Sequence, residues 1–99
     1  MIVVIFRATL RRLDDPTEYI ETACRLRELA LNAFGCVAFQ AVTEGDQEVA
    51  LSWWPDEAAL RAWQAHPEHR EAQARGRDAW YVTYDVQVAT VARSYSWTK

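Results

Sequence analysis

Trp63, His66 and His69 stand at three-residue intervals, and their types suit them to work together on an aromatic molecule. The two histidines are the only ones in the chain. Imidazole is the side chain that ordinarily titrates near neutrality, so either could take a phenolic proton. Intervals of three place neighbours on one face of a helix, but Pro67 falls inside the run and can break its register. Structural roles fit the same residues: His66 as an N-cap before Pro67, His69 as a solvated or supporting group, Trp63 as the ring that fixes a helix to a sheet. As a metal site the pair is poor. Glu68 and Glu71 would point to other faces and no third ligand is marked, so no metal is expected.

A second set of residues could bind rather than react. Arg7 interrupts an apolar run, so it should either meet a carboxylate, Asp85 being the candidate, or face a cavity. Arg75 and Arg77 flank Gly76 and could meet an anionic substrate or oxyanion, or simply cover a helix end, where the dipole favours cations. Trp54 and Tyr81 could stack on a planar ring or be buried at a subunit interface. The substrate-binding candidates are therefore Arg7, Trp54, Gln73, Arg77 and Tyr81. No Gly-rich phosphate loop, nucleophile elbow, CxxC or paired-carboxylate motif is present.

The elements that must position these groups are legible. Residues 2–9, IVVIFRAT, read as a strand. Asp15-Pro16-Thr17-Glu18 announces a helix, with Asp15 as cap and Glu18 completing a capping box. Tyr19, Ala23, Leu26, Ala30 and Ala33 or Phe34 form its apolar stripe, and Gly35 its stop. Residues 36–44 and 47–54 flank Gly45-Asp46 as a hairpin. A helix opens at Pro55-Asp56-Glu57, breaks at His66-Pro67, and resumes from Glu68 to Arg75, stopping at Gly76. Residues 80–95 read as one long strand, with Trp80, Val82, Tyr84, Val86 and Val88 on one face and Tyr81, Thr83, Asp85, Gln87 and Ala89 on the other. Such a length requires either a bulge or an end that reaches another subunit. The order β-α-β-β-α-β is that of a ferredoxin-like α+β fold, an antiparallel sheet with helices on one face. Its bare face would carry Phe39 or Gln40, Trp53 or Trp54, and Tyr81. That is too aromatic to stay wet, so a two-fold homodimer is expected.

Composition bounds the function. With 99 residues, 51% hydrophobic and 25% charged, the chain has the makeup of one folded domain over residues 1–99, with a core of 1–95 and a tail of 96–99. A net charge of −3 and a pI near 5.3 argue against nucleic acid as a partner. No apolar run approaches the length of a membrane span, and no signal-peptide pattern precedes the first strand, so a cytoplasmic location is expected. Cys24 and Cys36 read as small hydrophobic residues in a reducing compartment. All five tryptophans, Trp53, Trp54, Trp63, Trp80 and Trp97, lie in the second half.

The hairpin ending in Trp53-Trp54, then L-R-A-W-Q-A-H-P-E-H-R at 60–70, A-Q-A-R-G-R-D-A-W-Y at 72–81 and V-A-R-S-Y at 91–95 resemble the antibiotic biosynthesis monooxygenase family. The resemblance implies a dimeric α+β barrel with a cavity between sheet and helices in each subunit. It also implies oxygenation of a small or polycyclic aromatic such as a phenol, anthrone or quinol, with no cofactor. Trp63 matches the helix tryptophan that lines the cavity in the oxygenase branch. Two other readings stand beside it: a non-catalytic barrel that binds a small hydrophobic ligand or serves a stress response, and a haem-degrading enzyme. The haem branch uses a first-strand Asn and a ligand His further along the helix. Here Arg7 or Thr9 stands at the first position and Gln73 near the second, although His69 could be a displaced ligand.

Overall fold

The computed structural model describes all residues, Met1–Lys99. Strand β1 (Ile2–Leu10) is followed by helix α1 (Thr17–Ala33), the hairpin β2 (Ala38–Glu44) and β3 (Gln47–Trp54), helices α2 (Glu57–Ala65) and α3 (Pro67–Arg75), a single π-helical turn (Gly76–Trp80) and strand β4 (Tyr81–Thr90). The four strands form one antiparallel sheet in the order β2-β3-β1-β4. This is the ferredoxin-like α+β fold expected from the element order. No helix is long and apolar enough to cross a membrane.

Local chemistry sets the boundaries. Asp15 accepts from the Thr17 N–H at 3.0 Å and from the Thr17 hydroxyl at 2.6 Å, so it caps the entry to α1. Glu18 does not complete the capping box. Its carboxylate is drawn instead to Arg75, 2.9 Å away on α3. Gly35 takes φ +78° and lets the Cys36 N–H turn back to the Ala30 carbonyl at 3.0 Å, a left-handed stop of the kind that favours glycine. Gly45 at φ +62° opens the two-residue hairpin turn. Asp56 accepts from the Ala59 N–H at 2.8 Å and starts α2. His66, extended at ψ 134°, separates α2 from α3, with Pro67 in the first turn of α3.

Register assigns the faces. Ile2, Val4, Phe6 and Ala8 of β1 align with Trp54, Ser52, Ala50 and Glu48 of β3 and share the helix-covered side. Trp54, completely inaccessible, joins Ala30, Cys36, Leu60 and Trp63 in the core. The opposite face carries Val3, Ile5, Val42, Val49, Leu51 and Trp53 with no helix over it, and Val42 is 59% exposed. Only nine of the 99 residues are buried, because this face and the cavity described below both stay open within one chain.

Three expectations are corrected. β4 ends at Thr90 rather than at 95, and the following segment leaves Tyr95 and Trp97 94% and 82% exposed. A register shift between Thr9 and Leu10 pairs Leu10 with Tyr81, which turns Tyr81 to the helix side with Tyr84 and away from the Thr83–Asp85 face. Of the alternatives open for the hairpin, Trp53 and Gln40 lie on the bare face, while Trp54 and Phe39 face the helices. Cys36 is buried as expected, but Cys24 is exposed.

Candidate active site

A cavity of about 220 Å³ lies between the sheet and helices α1 and α3. The inward residues Val4, Phe6, Ala41, Ala50 and Ser52 form its floor, and Tyr19, Thr22, Ala23 and Leu26 form the α1 wall. The opposite wall brings Leu60, Trp63 and Gln64 of α2 together with His69, Ala72 and Gln73 of α3. Tyr84 and the exposed Val86 place the mouth along β4. The stripe that reads in sequence as a core-facing side of α1 is therefore largely a cavity wall.

Two ion pairs hold α1 and α3 across this space. Arg75 is bidentate to Glu18 at 2.9 and 3.3 Å, and Arg25 is bidentate to Glu68 at 3.2 and 3.3 Å. Each partner pair is seven residues apart on its own helix, so the helices run antiparallel with both bridges on one side. These bridges are solvent-exposed and fix geometry more than they stabilise the fold. They matter because α3 buries no side chain of its own.

His69 is the half-buried histidine on the cavity wall. Its ring meets Trp63 edge-on at 5.0 Å, and its Nδ1 is buried with no hydrogen-bond partner. Burial pushes its pKa below the ordinary histidine value, the Gln64 backbone opposes that shift, and neighbouring His66 adds to it. Burial therefore favours the neutral form of the imidazole.

His66 is placed elsewhere. Its Nδ1 accepts the Glu68 N–H at 3.2 Å, which caps α3, and its ring lies between Trp63 and Phe34. It does not line the cavity. Among the other sequence candidates, Trp63, Gln73 and Tyr81 line the cavity, whereas Trp54 backs it. The Trp54 indole donates to the Ser52 hydroxyl at 3.0 Å from behind the floor. Arg7 lies on the bare sheet face and pairs with Asp85 at 3.1 and 3.3 Å, the cross-strand alternative weighed from sequence. Arg77 stays outside but donates to the hydroxyl of cavity residue Tyr84 at 3.2 Å. The first-strand positions considered for the haem branch, Arg7 and Thr9, both face away from the cavity, so the residues present do not fit that group.

Sequence reasoning missed Glu48. It occupies the inward parity of β3 with Ala50, Ser52 and Trp54, and that single charge on an otherwise inward face was the available signal. Its carboxylate accepts a hydrogen bond from the Tyr19 hydroxyl, and the Tyr81 hydroxyl donates to Tyr19 at 3.5 Å. Phe6, Trp80 and Tyr84 complete an aromatic enclosure, with Tyr19 edge-on to Trp80 at 5.3 Å and Phe6 stacked on Tyr84 at 5.6 Å.

Gly76 lets this enclosure close. A Cβ there would lie 2.6 Å from Tyr81 Cε2 and 2.8 Å from Cδ2. Gly76 continues the helical path at φ −59° instead of stopping it, so its role is room and not backbone freedom. Gly76→Ala is expected to displace the Tyr81 ring and cost about 1–3 kcal/mol by overpacking. A shifted denaturation midpoint with altered near-ultraviolet circular dichroism would show both effects. An unchanged midpoint and spectrum would mean the ring has slack.

The family model for antibiotic biosynthesis monooxygenase matches residues 1–75. Over 91 residues the chain is 36% identical to the uncharacterized protein YqjZ of Bacillus subtilis, covering 91% of this chain and 78% of the relative. Its fold is similar to that of Rv0793 from Mycobacterium tuberculosis (TM-score 0.81, 16% identity, 96% and 98% of the two chains covered). It is also similar to that of SnoaB, a cofactor-independent oxygenase from Streptomyces nogalater (TM-score 0.76, 20% identity, 94% of each chain covered). The match to three-quarters of the chain, together with the tryptophan-and-histidine wall between sheet and helices, makes this protein a member of the antibiotic biosynthesis monooxygenase family.

Proposed function

We propose that the protein is a cofactor-independent monooxygenase that oxidises a small aromatic hydroxyl compound with O2. The observation that carries this reading is His69, half-buried against Trp63 on the wall of an apolar cavity of aromatic size. His69 takes the phenolic proton, and the anion passes one electron to O2. The radical and superoxide then combine to a ring hydroperoxide, which regains the proton. Loss of water across its O–O bond leaves one oxygen atom on the ring carbon as a carbonyl. The substrate supplies every electron and O2 accepts them, so the step balances without an external reductant. Trp63 shapes the wall beside His69. The likeness in fold to SnoaB, described as a cofactor-independent oxygenase, supports the reading.

Size narrows the substrate class. An apolar cavity of about 150 Å³ holds benzene, and ordinary ligand pockets run from about 300 Å³ upward. A cavity near 220 Å³ therefore favours one or two rings over a tetracyclic substrate. Oxygen uptake with a panel of hydroquinones, naphthols and anthrones, with a chelator and without flavin, tests the reading. Uptake above the enzyme-free rate, greatest with the smaller rings, is expected. No uptake with any member would leave a non-catalytic ligand-binding barrel as the better description.

The apolar bare face supports a homodimer in which two sheets cover one another through Val3, Ile5, Leu51 and Trp53. Sedimentation is expected to give twice the 11.4 kDa chain mass, and a monomer mass at micromolar concentration would overturn the pairing.

A further inference from the structure

We propose that Glu48, Tyr19 and Tyr81 form a hydroxyl-docking site inside the cavity, one that selects an uncharged arene bearing a second hydroxyl and excludes carboxylated arenes. This rests on the reading of the cavity as an aromatic-substrate site. The three residues come from β3, α1 and the start of β4, and they meet only because the β4 register shift turns Tyr81 inward.

The chemistry of the cluster defines its ligand. Burial and the Glu48 carboxylate push the Tyr19 phenol far up, and burial pushes the Tyr81 phenol up to about 12, so both hydroxyls keep their protons. The hydrogen bonds run in one direction, from Tyr81 to Tyr19 and from Tyr19 to Glu48. The chain ends on a carboxylate that has four acceptor sites and one recorded donor. Spare acceptor capacity on a cavity wall fits a ligand O–H. A ligand carboxylate would instead face a like charge in a partly desolvated site.

Arg77 meets the cavity only through the Tyr84 hydroxyl. The cavity lining contains no Lys or Arg, since Arg7 lies on the other sheet face and Arg75 and Arg25 are engaged in the bridges outside. Those bridges also set the spacing. Glu68, next to His69, meets α1 at Arg25, and Arg75 meets it at Glu18, next to Tyr19. Seven helical residues separate the two bridges, and Tyr19 and His69 each stand one residue inside them, so about five residues, ~7.5 Å at ~1.5 Å per residue, separate the two groups along the helices. His69 and the Glu48–Tyr19–Tyr81 cluster therefore line the same cavity at different levels. The hydroxyl to be deprotonated would then face His69 while the other docks at Glu48.

Anaerobic titration calorimetry with three matched ligands separates this role from a merely structural tie between α1 and β3. The probes are 2,6-dihydroxynaphthalene, 2-naphthol and 6-hydroxy-2-naphthoate. The wild type is expected to bind the diol about tenfold more tightly than the naphthol and at least tenfold more tightly than the naphthoate, the scale of one well-made hydrogen bond. E48Q, which keeps an acceptor but removes the charge, should bring the naphthoate to within about threefold of the diol. Y19F frees the carboxylate but removes its ordering donor, so it should lower the diol preference while leaving the naphthoate rejected. A folded E48Q variant with the wild-type selectivity overturns the proposal, as does a diol bound no better than the naphthol. If none of the three binds, both the docking site and the aromatic-cavity reading fall. If the diol binds selectively but no phenol drives oxygen uptake, only the oxygenase reading falls.

Discussion

His69→Ala is expected to reduce substrate-dependent oxygen uptake by about 10²–10⁴-fold, the range a positioned proton acceptor supplies. His66→Ala should leave most of the turnover in place, although the two histidines stand only three residues apart. The reason is geometric: His69 lines the cavity, whereas the His66 ring nitrogen is spent on the Glu68 N–H at the start of α3. The cost of His66→Ala should appear as stability, about 0.5–2 kcal/mol for a lost N-cap. Equal uptake in both variants and the wild type would remove the histidine base from the mechanism.

The same residue fixes the pH dependence. The His69 pKa lies below its ordinary value of 6.5 in the folded chain, chiefly because burial disfavours the imidazolium. The base form then persists below pH 6.5, and activity should fall only at more acidic pH. For stability the sign follows from proton counting. Below pH 6.5 the unfolded chain binds a proton that the folded chain refuses. The His69 contribution is therefore intact above pH 6.5 and lost as pH falls through the lower folded value. His69→Gln should flatten this part of the stability profile. An unchanged profile would mean that another group governs it.

Trp54→Ala is expected to remove about 3–5 kcal/mol of stability, as truncation of a large buried ring does. Against a total of about 5–15 kcal/mol for a domain, that brings the chain close to unfolding. Trp54 has no accessible surface, stacks on Trp63 with centroids 6.3 Å apart, and donates to Ser52. Its loss would free the Trp63 ring that contacts His69, so the cavity wall would loosen with the core. Trp54→Phe keeps most of the packing but leaves the Ser52 hydroxyl without its donor, and should cost about 1–3 kcal/mol. Urea denaturation measures both. A Trp54→Ala midpoint within error of the wild type would mean that the core repacks around the gap.

Much of this architecture was legible in the chain itself. Period-two runs, two glycine turns and the Asp56 cap place the strands and helices closely, except for the end of β4, and His66-Pro67 marks the joint between α2 and α3. Those signals are local: each depends on residues within one or two turns of one another. Of the site, the Trp63 and His69 wall was visible for the same reason, since both lie on consecutive helical segments. The sorting of His66 from His69 was not visible, because it depends on which ring turns toward the sheet.

Pairings between distant residues belong to the tertiary structure. Glu18 carries the sequence signal of a capping box, yet Arg75 competes for it across 57 positions and wins the carboxylate. Tyr81 alternates in sequence with the solvent-facing residues of β4, but a one-residue slip against β1 reverses its face. Glu48 and Tyr19 look like a surface charge and a core ring until α1 lies on β3 and brings their side chains together. The sequence by itself determined the elements, their order and the apolar faces, because periodicity and capping act over neighbouring residues. Only the packed sheet and helices decided which of those faces enclose a cavity and which polar groups meet inside it, because strand register and helix placement are set by contacts that no local pattern encodes.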